Sequence, residues 1–195
     1  MGDGTLRISA PWNFSREEAE RLMREKEEWI VGRLAHGSTF RRVNPAEFTH
    51  GCTVWYLGER YPVKYEKRGM SRMDFDGESF IFSSSDTRRF QSALDRFYLR
   101  TAKVVLAERM EYWSEKMDLH PKELKFRRYK SRWGCCSARN VITLNTRLLL
   151  YDMRLIDYVI IHELAHIRHK HHKKPFWSLV ERYEPRWREL RRELV

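Results

Sequence analysis

The sequence has few cysteines and no long apolar run, and both absences narrow the class of protein. Cys52, Cys135 and Cys136 are the three cysteines among 195 residues, an odd number that does not suggest a disulfide framework. No apolar stretch approaches the roughly 20 residues that span a bilayer, and the first residues contain no signal-peptide core. We therefore expect a cytoplasmic protein with reduced thiols and no membrane-spanning segment.

The charge of the chain is strongly positive, with a formal net charge of +11 at pH 7. This charge favours an anionic partner, such as a nucleotide or a nucleic acid, although a solvated basic surface explains it equally well. No Gly-rich phosphate-binding loop accompanies the charge. Hydrophobic residues make up 42% of the chain, which is enough for a sizeable core.

Local patterns in the first half predict a helix and two hairpins. Ser15 and Glu18 form a capping box that begins a helix ending near Leu34. Residues 6–9 before it have strand character. Gly58-Glu59 and Asp76-Gly77 each separate two strand-like segments, which indicates hairpins. These segments are residues 53–57, 60–65, 72–75 and 79–83.

A long helix follows, which Asp86 caps and which ends near Met117, shortly before Pro121. Its apolar residues recur with helical spacing. The predicted inward face consists of Phe90, Leu94, Phe97, Thr101, Val104 and Val105.

The remaining segments predict the fold class. Residues 124–129 and 141–144 are strand-like, and further helices begin at Asp152, Pro175 and Pro185. This order of elements predicts an α+β fold, with a small antiparallel sheet and helices packed on one side.

No linker or repeat divides the chain. We therefore expect one domain over residues 1–195. Residues 1–84 would form an N-terminal part of hairpins and a helix, and residues 85–195 a helical part with a zincin-like active-site helix.

That helix contains the sequence HELAH at residues 162–166. Two histidines four residues apart lie on one helix face and can bind one metal ion. His162 and His166 are therefore candidate metal ligands, and Glu163 is the candidate general base for a metal-bound water. The apolar character of residues 158–161 predicts that the helix is buried, so its polar groups require a partner.

A catalytic zinc site usually has a third protein ligand, and three more histidines follow the motif. On a straight helix His169 would lie about 10.5 Å beyond His162 along the axis. Two ligands of one zinc ion must bring their nitrogens within roughly 3.5 Å of each other. The third ligand must therefore lie on chain that folds back, which favours His172, with His171 and His169 as alternatives. No glycine is available for this reversal, and we expect His171 to adopt the left-handed conformation.

The combination of motifs resembles the YgjP-like metallopeptidase family, which is related to SprT-like and WLM domains and to compact gluzincin-like proteases. The resemblance spans nearly the whole chain. Its most specific parts are SRWGxCS at residues 131–137, IxLNxRL at 142–148, DYVIIHELxH at 157–166 and HxxxFW at 172–177.

This resemblance implies a zinc site formed by His162, His166 and His172, with Glu163 as the catalytic residue. It also implies an edge strand beside the site that pairs with an extended peptide. The candidate substrate-binding residues are Trp133, Gly134, Cys135 and Cys136.

Three positions depart from the family pattern without removing a ligand. His171 replaces the usual Asn, and Cys135 replaces the usual Ser, which places two thiols side by side. We expect both thiols to be buried and inert. Lys173 also replaces a usual Ser, which removes an expected helix N-cap.

Three functions follow from these observations. The first is a zinc-dependent metallopeptidase that acts on a peptide or protein. The second, which the resemblance implies because some family relatives carry a UTP pyrophosphatase-type assignment, is a zinc-dependent pyrophosphatase of nucleoside triphosphates. The third is a nucleic-acid-associated protease or binding module of SprT-like type, since aromatic side chains are interleaved with basic ones in residues 127–133. We expect the ring of Trp133 in that segment to pack in the core.

Overall fold

The computed structural model describes residues 15–25, 42 and 44–194. One unit contains the first 39 residues and another contains residues 40–194. In the first unit, helix α1 covers Arg16–Glu25 and begins with the predicted capping box. The Ser15 N–H donates to Glu18 Oε2 at 2.8 Å, and the Glu18 N–H donates to Ser15 Oγ at 3.1 Å. The predicted strand at residues 6–9 and the predicted helix end near Leu34 lie outside the described residues.

The second unit begins with a four-stranded sheet that confirms both predicted hairpins. Strands β1 and β2 pair antiparallel, as do β3 and β4, and the order is β1-β2-β4-β3. The two hairpins join through β2 and β4, which run parallel. The strands are β1 (Thr53–Tyr56), β2 (Glu59–Glu66), β3 (Arg72–Phe75) and β4 (Phe80–Ser83).

A separate three-stranded sheet has the order β5-β7-β6, with β5 and β7 parallel and β6 and β7 antiparallel. Its strands are β5 (Glu123–Arg127), β6 (Gly134–Cys136) and β7 (Val141–Asn145). The α+β class is confirmed, whereas the prediction of one antiparallel sheet is wrong, because the described residues form two mixed sheets. A turn dipeptide predicts a hairpin between two strands that follow each other in the sequence. Each parallel pair joins strands that are further apart in the sequence, so no turn dipeptide could predict it.

Among its described residues this unit also has four α-helices, together with short 3₁₀ segments at Thr87–Arg89 and Thr146–Leu150. Helix α2 contacts β3 in the first sheet, β5 in the second sheet, and helix α3. It therefore connects both sheets to the helix that carries HELAH. The helices are α2 (Phe90–Met117), α3 (Met153–Arg168), α4 (Lys174–Tyr183) and α5 (Trp187–Glu193).

The buried face of α2 differs from the predicted one in its second half. Phe90, Leu94 and Phe97 are buried as expected, but Val104 is 54% exposed. The face continues instead through Ala102, Leu106 and Met110. None of the helices in the described part of the chain combines the length and apolar character that crossing a bilayer requires.

Candidate metal and active site

Helix α3 positions the HELAH residues in the core. The Asp152 carboxylate caps its start by accepting from the Leu155 N–H at 3.2 Å. A helix that is apolar on most sides is buried, and here every residue from Tyr158 to Ile161 is buried. Asp157 anchors the helix to α2 through a bidentate ion pair with Arg109, at 2.8 and 2.6 Å.

The chain reverses direction directly after α3. The helix ends at Arg168, where the His169 N–H donates to the Ala165 carbonyl at 2.9 Å. The Lys173 N–H then donates to the His171 carbonyl at 2.7 Å, a tight turn immediately before α4. His171 is not among the described residues with positive φ, so the prediction of a left-handed His171 is wrong. The i to i+2 hydrogen bond makes the reversal without that conformation.

The reversal brings His172 back to the two histidines of α3. One ring nitrogen from each of His162, His166 and His172 can be chosen so that all three lie within 4.8 Å of one another. The Nε2 atoms of His162 and His172 are 3.0 Å apart. Two nitrogens on one tetrahedral zinc ion lie about 3.4 Å apart, given Zn–N bonds of about 2.0–2.1 Å. The three imidazoles therefore fit a single metal ion, and we call them the histidine triad.

Two of these rings are oriented by neighbouring groups. His166 Nδ1 lies 3.0 Å from the His169 carbonyl, which can only accept, so Nδ1 carries the proton and the Nε2 lone pair is available to a metal. The His172 imidazole stacks on Trp177, whose ring centroid is 5.5 Å away at an interplanar angle of 23°. Trp177 Nε1 also donates to the His172 carbonyl at 3.1 Å.

Burial keeps the triad uncharged. It lowers the pKa of His162 to about 3, with further lowering by His166, His172 and Arg191. Burial is also the main cause that lowers the pKa values of His166 and His172. Neutral imidazoles present the lone pairs that metal coordination requires.

Glu163 is buried beside the triad, and this burial raises the pKa of its carboxyl group to about 8, against a smaller lowering by Arg132. No described residue lies within hydrogen-bond distance of Oε2. A carboxyl group whose pKa lies near neutrality is suited to accept and return a proton near pH 7.

Strand β6 lies at the edge of its sheet and against α3. Gly134 faces Glu163 so closely that a Cβ there would lie 2.8 Å from the glutamate Cγ. Cys135 points to the other face, where its Sγ is 3.9 Å from the Tyr129 hydroxyl. The three cysteines are free and only partly buried, so the prediction of buried thiols is wrong for Cys135 and Cys136. Burial nevertheless raises the pKa of Cys136, which keeps its thiol protonated.

Trp133 precedes this strand and packs inward, as expected. Its ring meets Tyr151 edge-on at 4.9 Å between centroids, and its Nε1 donates to the Leu194 carbonyl at 3.3 Å. The indole therefore contributes to packing around the site.

Other residues at the site had not been identified from the sequence. Lys170 Nζ donates to Asn140 Oδ1 at 2.6 Å and to the Ser137 carbonyl at 3.1 Å, which ties the reversal to the β6–β7 turn. The buried Asn145 side chain donates to the carbonyls of Tyr129 and Arg132. Asn145 could have been identified from the sequence, because it is an Asn in a mostly apolar strand. Lys170 could not, because it lies within a run of basic residues and has no feature that distinguishes it from them.

A histidine triad on a buried helix and its returning chain, with a glutamate beside it, is typical of metal-dependent hydrolases. The chain belongs to the YgjP-like metallopeptidase domain family, whose model matches residues 1–195. It is therefore a hydrolase of the metallopeptidase class, which implies a peptide or protein substrate and a metal ion.

Two solved structures are similar over part of the chain. The metallopeptidase zymogen abylysin of Pyrococcus abyssi is 25% identical, with a TM-score of 0.41 over 44% of this chain and 88% of its own. The metallopeptidase zymogen jannalysin of Methanocaldococcus jannaschii is 18% identical, with a TM-score of 0.41 over 46% of this chain and 92% of its own. A comparison with curated proteins gave no match.

Proposed function

We propose that this protein is a zinc-dependent metallopeptidase in which His162, His166 and His172 hold the metal and Glu163 is the general base. The observation that supports this assignment most strongly is the approach of three imidazole nitrogens to within 4.8 Å of one another beside a buried carboxyl group. Three nitrogen ligands suit zinc in a catalytic site. A bound zinc ion would supply Lewis acidity and lower the pKa of a coordinated water.

The residues of the chain have separate roles in this proposal. Glu163 takes the proton of the attacking water and returns it to the leaving amine. Its burial keeps the carboxyl group away from competing solvent and raises the pKa towards the working range. Gly134 leaves the space that the carboxyl group occupies, because a side chain at that position would collide with it.

Strand β6 supplies the proposed substrate-binding edge. It pairs with β7 on one side, and the sheet ends at β6. The outward N–H and C=O groups of an edge strand can pair with an extended peptide. Such a peptide would cross the site next to Glu163, because Gly134 and Glu163 are in direct contact. In this arrangement Gly134, Cys135 and Cys136 contact the substrate backbone, and the packed ring of Trp133 fixes the start of the strand.

The test is hydrolysis of a peptide library by zinc-loaded wild type and by Glu163→Gln. We expect the variant to bind zinc as the wild type does and to lose cleavage. Glu108→Gln, an exposed substitution on α2, is the matched control and should cleave normally. UTP is assayed in parallel. Release of pyrophosphate that is lost in Glu163→Gln, without peptide cleavage by the wild type, would replace the peptidase assignment by the nucleotide one.

A further inference from the structure

Helix α5 is held beside the site by three contacts, two with α4 and one with Trp133. Trp187 stacks on Trp177 of α4, with 4.0 Å between ring centroids and an interplanar angle of 13°. Arg188 forms an ion pair with Glu181 of α4 at 2.6 Å. At the other end, the Leu194 carbonyl accepts from Trp133 Nε1, beside β6. These contacts fix the direction in which the next turn of α5 presents its side chains.

Arg191 lies one turn after Trp187 and is directed to the same ring system. Its guanidinium carbon is 5.3 Å from the Trp177 ring centroid. That ring is 5.5 Å from His172 and 5.8 Å from His162, centroid to centroid. Arg191 is therefore separated from the histidine triad by a single aromatic ring.

The charge of Arg191 acts on the site. After burial, which is the main cause, Arg191 is among the groups that lower the pKa values of His162 and His172. Burial raises the pKa of Tyr158, one turn before His162 on α3, and the charge of Arg191 lowers it by a smaller amount. No described carboxylate lies within ion-pair distance of Arg191, whereas Arg188 pairs with Glu181, and Arg154 pairs with both Asp152 and Glu193.

We infer that Arg191 forms a subsite for a carboxylate of the substrate, next to the histidine triad. A guanidinium packed on an aromatic face keeps its N–H edges exposed, and these edges match a carboxylate in a bidentate manner. An exposed arginine beside three uncharged imidazoles is also a source of positive charge for an anionic group that approaches the site. The inference rests on the proposed peptidase function, in which the carboxylate belongs to an acidic side chain or to the peptide C-terminus.

Peptide binding tests the subsite separately from catalysis. Glu163→Gln protein, with and without zinc, is titrated with four versions of one peptide, and tryptophan fluorescence is followed. The first pair of peptides is identical except that one has a free C-terminus and the other an amidated C-terminus. Both peptides of the second pair are amidated, and one has an internal Glu where the other has Gln. The same titrations are repeated after adding Arg191→Gln or, as matched control, Arg192→Gln, an exposed arginine that is not among the groups that shift the pKa values of His162 and His172.

We expect one carboxylate-bearing peptide to bind about 10- to 100-fold more tightly than its uncharged counterpart, the effect of a hydrogen-bonded charge. Arg191→Gln should remove that preference, and Arg192→Gln should keep it. A preference within the first pair shows that Arg191 binds the C-terminal carboxylate, and a preference within the second pair shows that it binds an acidic side chain. Equal affinities within both pairs, or equal losses in the two arginine variants, would overturn the inference. Carboxylate selection with no peptide cleavage by the zinc-loaded wild type would instead remove the peptidase assignment.

Discussion

Gly134 and Glu163 are in contact so close that no side chain fits between them. An ideal Cβ on Gly134 would lie 2.8 Å from both Cγ and Oε1 of Glu163. The backbone of Gly134 has no positive φ, so the need for glycine comes from the glutamate and not from the local conformation. The edge strand and the proposed general base are thereby fixed relative to each other.

Gly134→Ala should therefore impair catalysis more than folding. The added methyl group displaces the carboxyl group of Glu163, and a displacement near 1 Å costs up to about 100-fold in rate. We expect kcat for peptide hydrolysis to fall about 10- to 100-fold with unchanged zinc content. Arg139→Ala at the exposed tip of the β6–β7 turn is the control and should leave both quantities unchanged. An unchanged kcat in Gly134→Ala would contradict the assigned role of Glu163.

Removal of His172 tests the third ligand. His172→Ala should leave less than one zinc per chain, because two remaining imidazoles bind the ion weakly. His169→Ala and His171→Ala should retain full occupancy, since the hydrogen bond to His166 uses the His169 backbone carbonyl. Zinc content after dialysis is measured by mass spectrometry of the metal. Full occupancy of His172→Ala would show that another residue is the third ligand.

The stability of the metal-free protein should depend on pH through Glu163 and the triad. The pKa of Glu163 is raised from 4.5 to about 8 in the folded state, so folding retains a proton and stability falls as the pH rises through this interval. The pKa of His162 is lowered from 6.5 to about 3, so folding excludes a proton and stability rises up to pH 6.5. The two effects oppose each other between pH 4.5 and pH 6.5, and of the two only that of Glu163 operates above pH 6.5.

We therefore expect the thermal midpoint of metal-free protein to fall between pH 6.5 and pH 8. Glu163→Gln, which carries no titrating carboxyl group, should lack this decrease. The midpoints are measured by circular dichroism in the presence of a chelator. A decrease of equal size in both proteins would show that burial of Glu163 does not control stability in this range.

The ion pair between Arg109 and Asp157 should stabilise the position of α3. Both side chains are mostly buried, at 28% and 15% exposure, and the pairing is bidentate. Arg109→Ala should lower the free energy of unfolding by about 1.5–3 kcal/mol, the effect of hydrogen bonds to a charged group. Arg88→Ala, which breaks an exposed pair with Asp86, should change it little. Urea denaturation compares the two, and equal losses would contradict the importance of burial.

Local signals predicted several elements of the fold, including the helix that carries the site, well. The capping box at Ser15, both hairpins and the buried helix around HELAH depend on neighbours within a few residues, which the sequence displays. The reversal after α3 was predictable because the rise per residue separates His169 from His162 on a straight helix. The left-handed conformation expected at His171 was wrong, since a tight i to i+2 turn makes the same reversal.

Features that depend on distant neighbours were not predictable in this way. The parallel pairs β2–β4 and β5–β7 leave no turn signal, so two mixed sheets were predicted as one antiparallel sheet. Val104 continued the helical period but faces solvent, and the buried face of α2 runs through Ala102, Leu106 and Met110 instead. In the sequence Arg191 is one of several basic residues near the end of the chain. Its position over the Trp177 ring depends on the stacking of Trp177 on Trp187, which the sequence does not display.

Lys173 occupies the N-cap position of α4 with extended backbone angles and makes no side-chain capping bond. Lys173→Ser supplies a hydroxyl that can accept from an N–H of the first turn, which typically contributes about 0.5–1 kcal/mol. It also removes a positive charge from the positive end of the helix dipole. Lys174→Ser, one residue further on, removes the same charge without a capping geometry. We expect urea denaturation of the metal-free proteins to show a clear gain for Lys173→Ser and a smaller one for Lys174→Ser. Equal gains would attribute the effect to charge alone and leave the missing cap without consequence.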